Sequence, residues 1–600
     1  MSTDSLVLGA AGFIGRALVA ELLGQGRHVA AAVRGSAAPL TSWLAGAGAD
    51  TTNLRVVTAD ITEPGLGLPP GDLPDVRDVY NCAARFAFGL DPADARAVNV
   101  TGALNVLEWT AARNSPRRLV HLSGYRVGAK SDTPDYRRLG AYEASKQEGD
   151  TAVRRRAAEL GVPLTVANPA SVIGHGQFIG LASIVSDLWH GRLPAVPGGP
   201  GTFLPVVTLD HFARFLAALP EDPGAAGQDY WVLDDATPEL PALLRLVAAH
   251  TGVRPPRGHI PVPLLRLLPR ALTGADPETF SFLSTDRYPT ASASAFAAAH
   301  QLRMPPVQQA LRDWADHLVA TRFGAASAPR QPHGFHEIAG SRTWLVGDRR
   351  SPEHVLLHGL PLDADSWTDV TRHLEARTLA ADLPGLGRSG ATAATTDDWL
   401  ADLMEPVTGR PLLTAHSLAC GPALRYALRH PDRIRGLVLI APAFLQNSPA
   451  PRRPARVTAM ALRRMSPARL ADTLGVPLGP AVHSAATALH RPGAARRVMT
   501  ALRAARADSA SLREALGQVR VPVTVVAGES DPLAVRVSLP TVTVPAAGHY
   551  PQLTDPEAVA RLLADQASAD DPAAATLAII EVQAAAFGGQ SGCRQRPSEA

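Results

Sequence analysis

The chain has few cysteines, almost no lysine, few aromatics and no long apolar run. Its three cysteines, Cys82, Cys420 and Cys593, are scattered over 600 residues, which excludes a disulfide framework and a cysteine-based metal motif. A reducing compartment is the simplest expectation. No stretch of 18 or more apolar residues occurs, so no membrane-spanning helix is expected. No basic segment with a long apolar run precedes the strand-like Ser5–Leu8, and a cytoplasmic protein is predicted. Neither sign of charge dominates. The formal net charge is +3 and the arginines are spread along the chain, which removes the basic patch expected of a nucleic-acid binder. No metal site is read from the spacing of histidines, cysteines and acids.

What is present suits globular domains: 46% of residues are apolar and 19% charged, so extended disorder is not expected. At 600 residues the chain exceeds one ordinary hydrophobic core, and two or three domains are expected. Lysine occurs only at Lys130 and Lys146. That bias toward arginine, with abundant Ala, Gly and Pro, points to a GC-rich coding source such as an actinobacterium.

From residue 5 to about 170, short β-rich runs alternate with Ala/Leu helical patterns. Leu6–Leu8, Val29–Val33, Leu54–Thr58, Val79, Leu119–Leu122 and Leu164–Ala167 read as strands, and repeated βα units imply a parallel sheet covered on both faces. The pattern loosens from Asn168 to about Arg322, as in a smaller substrate-facing lobe. Residues 324–335 read as a linker. A second series follows, with strands at Trp344–Val346, Val355–Leu357, Leu412–Thr414, Leu437–Ile440 and Val523–Ala527. Between them, about 443–519 is Arg/Ala/Leu-rich helix, a natural cap, and a terminal helix is expected at Pro556–Leu563. The boundaries are therefore 1–323, the linker 324–335, 336–566, and a tail 567–600 without an assigned role.

Two groups of residues carry chemistry. In the first, Gly9, Gly12 and Gly15 sit at a strand-to-helix turn, where a pyrophosphate must approach backbone amides, here including those of Phe13 and Ile14, at a positive helix end. The spacing is GxxGxxG rather than GxGxxG. Arg34 follows the second strand, where an NAD site usually carries an acid; an arginine there can pair with a 2′-phosphate, which favours NADP(H) over NAD. Asp60 and Ile61, after the third strand, are positioned for the adenine. Tyr142 and Lys146 fall one helical turn apart, so that an ammonium can stabilise a phenolate and make a proton donor and acceptor. Ser123 ends a strand with a hydroxyl that can polarise a carbonyl.

These pieces, with Asn81-Cys-Ala-Ala84, Asn99-Val-Thr-Gly102 and Asn168-Pro-Ala-Ser-Val-Ile-Gly174, resemble an extended short-chain dehydrogenase/reductase over residues 5 to about 322. The resemblance implies that Tyr142 is the acid/base and that Ser123 orients the substrate oxygen. It further implies that Lys146 holds the nicotinamide ribose and tunes Tyr142, that Asn99 supports the proton relay, and that Ala83 lines the cofactor. Asn81 stands where many members carry His. Arg34 points toward the branch resembling hydroxysteroid, dihydroflavonol and thioester-type reductases, with an apolar ketone, aldehyde or alcohol as substrate.

The second group is a strand–turn–helix serine, Ala415-His-Ser417-Leu-Ala419, in which alanines replace the usual glycines of GxSxG. Asp531, just after a strand, and His549, ahead of the terminal helix, follow in the order Ser, Asp, His. His549 would take the Ser417 proton, with Asp531 fixing its tautomer. Leu360 and Leu418 are the candidate oxyanion-hole amides. With Asp382-Leu-Pro-Gly-Leu-Gly-Arg-Ser389 and His430-Pro-Asp-Arg-Ile-Arg-Gly436, residues 336–566 resemble serine α/β-hydrolases.

The fold expected is thus α/β twice over: a Rossmann-type doubly wound parallel sheet with a small substrate lobe, then an α/β-hydrolase domain with a helical cap. The function expected is a bifunctional enzyme for an apolar small molecule. The alternatives are an oxidoreductase carrying an inactive hydrolase scaffold, an NAD-dependent epimerase/dehydratase in the first domain, and a nucleotide sensor; Tyr142 and Lys146 argue against the last.

Overall fold

The structure is a computed structural model, and it describes residues 3–85, 89–127, 134–267, 280, 282–446, 455–533 and 541–568. The chain divides into two compact units. One runs to Asp187 and resumes over Leu193–Val247 and Pro255–Leu318; the other takes Leu188–Arg192, Ala248–Arg254 and the chain from Val319.

In the first unit the strands are β1 (Ser5–Leu8), β2 (Val29–Val33), β3 (Leu54–Thr58), β4 (Asp78–Asn81), β5 (Arg118–Leu122), β6 (Leu164–Pro169) and β7 (Asp229–Val232). They form one sheet in the order β7-β6-β5-β4-β1-β2-β3, parallel throughout. Burial on both faces explains the unbroken apolar runs. Val7, Ala31, Tyr80 and Val120 face one core, and Leu6, Ala30, Val79 and Leu119 the other. Helix α1 (Phe13–Gly24) follows β1, and α2 (Ala141–Leu160) precedes β6. The single residue Val79 proves to be the centre of a four-residue strand. β7 had no counterpart in the sequence reading, because its Asp-Tyr-Trp-Val lacks an aliphatic run.

The second unit holds β8 (His333–Ile338), β9 (Ser341–Gly347), β10 (His354–Leu357), β11 (Thr378–Ala381), β12 (Leu412–His416), β13 (Gly436–Ile440), β14 (Val523–Gly528) and β15 (Thr541–Val544). Their order is β8-β9-β11-β10-β12-β13-β14-β15, antiparallel across β8, β9 and β11 and parallel from there. Leu357, Leu413, Leu439 and Val525 bury against one layer, and Leu356, Leu412, Val438 and Val526 against the other. Helix α3 (Cys420–Arg429) leaves β12. The segment between β13 and β14 contains α4 (Ala455–Arg463), α5 (Pro467–Leu474), α6 (Pro480–His490), α7 (Ala494–Ala507) and α8 (Ser509–Leu516), with no strand among its described residues. Helix α9 (Pro556–Ser568) closes the described chain; residues 569–600 of the tail and 447–454 of the cap lie outside the described residues.

β8, β11 and β15 are additions to the sequence reading. β8 begins inside the segment expected to be a linker, because its His-Gly-Phe-His-Glu-Ile alternation is half polar and follows a Pro/Ser-rich stretch. The Asp382–Ser389 motif turns out to fasten the cap. Asp382 is buried and accepts from the Ala364 and Arg388 amides, both at 2.6 Å. The buried Arg388 guanidinium bonds Asp365 at 2.5 Å and Ser484 of α6 at 3.2 Å, while Ser484 donates to Asp363 at 2.6 Å. Burial, with the Asp365 charge adding, pushes the Asp363 carboxyl up to about 7.

Candidate active sites

In the first unit the glycine turn sits between β1 and α1. A Cβ on Gly9 would come within 2.9 Å of the Ala83 backbone, and one on Gly15 would collide with the Gly9 carbonyl. The backbone of this turn is therefore bare, and Gly12 caps α1 so that the first amides of Phe13 and Ile14 open the helix. Arg34 is exposed immediately beyond β2. Asp60 Oδ1 accepts from the Thr62 amide and hydroxyl at 2.9 and 2.8 Å; these bonds, with the Arg34 charge adding, hold its carboxyl below the usual range. Ile61 is 8% exposed and packs against Gly102.

Ser123 follows β5 and bonds through its amide to Ala167 of β6, which sets it beside Asn168. The Ser123 hydroxyl and both amide atoms of Asn168 are buried without a hydrogen-bond partner. One turn of α2 separates Tyr142 from Lys146, which is 5% exposed and whose ammonium donates to Leu122 O at 2.8 Å. Burial, partly offset by Asp150, pulls it down to about 8. Asn99, expected to support a proton relay, is buried against α2. It lies in a π-helical segment, Ala97–Gly102; its Nδ2 donates to Ser145 Oγ at 2.9 Å and its Oδ1 accepts from the Arg85 amide at 3.1 Å, so both ends of the side chain are committed. Asn81 pairs with His121 at 3.2 Å, a partner the sequence did not suggest. Burial, with the Lys146 charge adding, holds His121 neutral. Bare turn, helix start and orphaned Ser123 and Asn168 fit a nicotinamide dinucleotide.

In the second unit Ser417 stands between β12 and α3 with φ 52, the strained turn expected of an exposed nucleophile. Ala415 and Ala419 are fully buried, so both methyls are absorbed into the core without loss of that turn. His549 Nε2 lies 3.0 Å from Ser417 Oγ, and its Nδ1 lies 3.1 Å from Asp531 Oδ2. The Leu533 amide donates to Asp531 Oδ1 at 2.9 Å. The Leu418 amide opens the turn after Ser417. Leu360 is fixed through its carbonyl, which accepts from Tyr550 Oη at 3.0 Å. Gly359 must be glycine: a Cβ there would lie 2.5 Å from His416 Nδ1 and 2.7 Å from Ser417 Cβ. Three further groups surround the serine and its partners. His358 accepts at Nε2 from the Leu383 amide at 2.9 Å, His416 Nε2 lies 2.9 Å from His549 O, and Gln446 touches Asp531 and His549. Burial, with the neighbouring His549 adding, holds His416 neutral.

Residues 5–191 match the model of the NAD dependent epimerase/dehydratase family, and residues 355–562 that of the alpha/beta hydrolase family. Curated relatives include pimeloyl-[acyl-carrier protein] methyl ester esterases. That of Shewanella woodyi is 34% identical over 96 residues, 16% of this chain and 38% of the relative. That of Edwardsiella ictaluri is 37% identical over 90 residues, 14% and 35%. The chain thus spans about two fifths of the length of the curated relatives it matches. Among solved structures, the terminal R domain from the myxalamid PKS-NRPS pathway is 18% identical at TM-score 0.45, covering 55% of this chain and 93% of that one. UDP-glucuronic acid 4-epimerase from Bacillus cereus is 16% identical at TM-score 0.41, covering 53% and 99%. No helix among the described residues is long and apolar enough to cross a membrane.

Proposed function

On the premise that the chain joins a domain of the NAD dependent epimerase/dehydratase family to one of the alpha/beta hydrolase family, both enzyme families, we propose a two-site enzyme. Residues 1–323 form an NADP(H)-dependent carbonyl/alcohol oxidoreductase, and residues 336–566, with their cap at about 443–519, a serine ester or thioester hydrolase. Both act on apolar small-molecule metabolites. The observation that carries this reading is the unbroken Ser417–His549–Asp531 chain at 3.0 and 3.1 Å behind a serine at φ 52.

At the hydrolase site His549 Nε2 takes the proton of Ser417 as Oγ attacks the substrate carbonyl. The Leu360 and Leu418 amides donate to the developing oxyanion. His549 then returns the proton to the leaving alcohol or thiol, and water releases the acid by the same steps. The names of the curated relatives, methyl ester esterases, favour an ester among the bonds a serine hydrolase opens.

At the first site a bound nicotinamide supplies or takes the hydride at the carbonyl carbon. The amides at Gly9, Gly12, Phe13, Ile14 and Gly15 would hold its pyrophosphate, Arg34 its 2′-phosphate, Asp60 its adenine, and Lys146 its ribose beside Ala83. Tyr142 gives the proton to the carbonyl oxygen, which Ser123 hydrogen-bonds, and Lys146 draws the phenol toward ionisation.

A fluorophosphonate probe tests the hydrolase: the wild type is labelled and Ser417→Ala is not. An unlabelled wild type would refute it. Carbonyl-dependent NADPH oxidation, lost in Tyr142→Phe with cofactor binding retained, tests the reductase.

A further inference from the structure

Gln446 follows the short turn Ala443–Leu445 after β13 and is 8% exposed. Its Nε2 lies 3.1 Å from Asp531 Oδ2, 3.0 Å from His549 Nδ1 and 3.2 Å from Ala441 O. An amide nitrogen has two protons for these three neighbours. The Ala441 carbonyl takes one, and the other faces the Asp531–His549 pair. For His549 Nε2 to act as a base, Nδ1 must keep its proton and donate it to Asp531. In that tautomer Nδ1 cannot accept, and the second Gln446 proton goes to the carboxylate.

We propose that Gln446 is a positioning residue of the hydrolase site, holding the Asp531 carboxylate against His549 and limiting how strongly that carboxylate draws positive charge onto the imidazole. This rests on the hydrolase reading above. Asp531 Oδ1 is fixed by the Leu533 amide, so Gln446 is the second restraint on a group that would otherwise be held at one oxygen and by the histidine itself. The other groups facing His549 are Ser417, His416, whose ring centre is 5.2 Å away, and Tyr550 at 4.8 Å. None of these donates to Asp531 among the described residues, so their roles do not duplicate that of Gln446.

The test uses the full chain and a chromogenic short-chain ester. Gln446→Met keeps the length of the side chain and removes both donors. A hydrogen bond to a charged group is lost, so kcat is expected to fall about tenfold or more while KM stays nearly constant. The acidic limb of the kcat–pH profile moves up by roughly half a unit, because the less restrained carboxylate favours the imidazolium more strongly. Gln446→Glu, which keeps the shape and adds a carboxylate, moves the limb further in the same direction. A purely structural role would lower the melting temperature and leave the limb in place. Wild-type labelling by fluorophosphonate with kcat and limb unchanged in both variants overturns the inference alone. A wild type that is not labelled overturns the hydrolase reading and the inference with it. Should Gln446→Met not fold, the kcat and limb of Gln446→Leu, which also lacks both donors, decide in its place.

Discussion

At the end of β12 each side chain of the Ser417–His549–Asp531 chain has a protein partner, and Gln446 and Leu533 hold the last of them. At the ends of β5 and β6, by contrast, Ser123 and Asn168 carry buried polar atoms with none. Each buried group left unpaired costs about 1–3 kcal/mol, so a ligand that hydrogen-bonds Ser123 and Asn168 would offset that cost at the first site, while beside the serine the unpaired buried atoms are Thr414 Oγ1 and His416 Nδ1 rather than those of the chain itself. The Ser417–His549–Asp531 chain is complete within the protein, whereas a ligand that pairs Ser123 and Asn168 would add to the stability of the first unit. In the first unit, too, Lys146 is buried at a cost that pulls its ammonium down to about 8.

Substitutions of the two central residues test whether the sites are independent. Ser417→Ala is expected to lower ester hydrolysis by roughly 10³-fold or more and to leave NADPH-linked carbonyl turnover unchanged. Tyr142→Phe should do the reverse, by about 10²–10⁴-fold. Both rates measured on one preparation of each variant decide the matter, and a matching loss at the other site would break the contrast.

Gly359→Ala sharpens it from the structural side. The added methyl would press on His416 and Ser417 Cβ, displacing the nucleophile from His549. A loss of about 10²-fold in esterase rate is expected, since small misplacements have effects of that size. Overpacking there should also cost about 1–3 kcal/mol of stability, read by denaturant unfolding. Retention of full esterase activity would mean that the turn is not held as tightly as its contacts imply.

Both strand–turn–helix sites were legible because local chemistry writes them into adjacent residues. Gly9, Gly12 and Gly15 must be close in sequence to be close in the turn, and Tyr142 and Lys146 must be four apart to share a helix face. The chain order Ser417, Asp531, His549 was readable for a different reason: a parallel sheet brings the ends of successive strands together. Gln446 could not be found this way. It meets Asp531 and His549 across 85 and 103 residues, and a glutamine after a short turn has no distinctive pattern. Asn168 stood in a recognised motif, but only burial reveals that its amide lacks a partner. Ile61 and Asn99 make contacts that their motifs do not reveal, the first against Gly102 and the second with Ser145 and Arg85. β8, β11 and β15 were missed because edge or short strands need fewer apolar residues than central ones.

The buried ammonium makes a pH prediction. Lys146 is lowered from 10.5 to about 8, so between those values the unfolded chain binds the proton and the folded one does not. The folded state therefore gains stability as pH rises through this window, by up to about 3 kcal/mol. Relative to Lys146→Met, the wild type should become more stable from pH 8 to about 10, as measured by urea unfolding of both proteins. Parallel stability curves would show that the ammonium is not buried as described.

The smallest effect concerns which nucleotide the orphaned site prefers. Arg34 is exposed just past β2, and its charge already reaches Asp60, which Thr62 keeps ionised. A 2′-phosphate at this edge would gain a charge-assisted bond from Arg34, with the Asp60 carboxylate nearby. Arg34→Ala therefore removes the attraction and leaves the repulsion, raising the Kd of NADPH about tenfold while changing that of NADH little. Because the arginine is exposed, the difference should shrink as salt rises and shortens the screening length. Fluorescence titration of both cofactors, at low and high salt, measures each term. A wild type that binds NADH more tightly than NADPH would reverse the assignment, since the arginine would then face solvent rather than a phosphate.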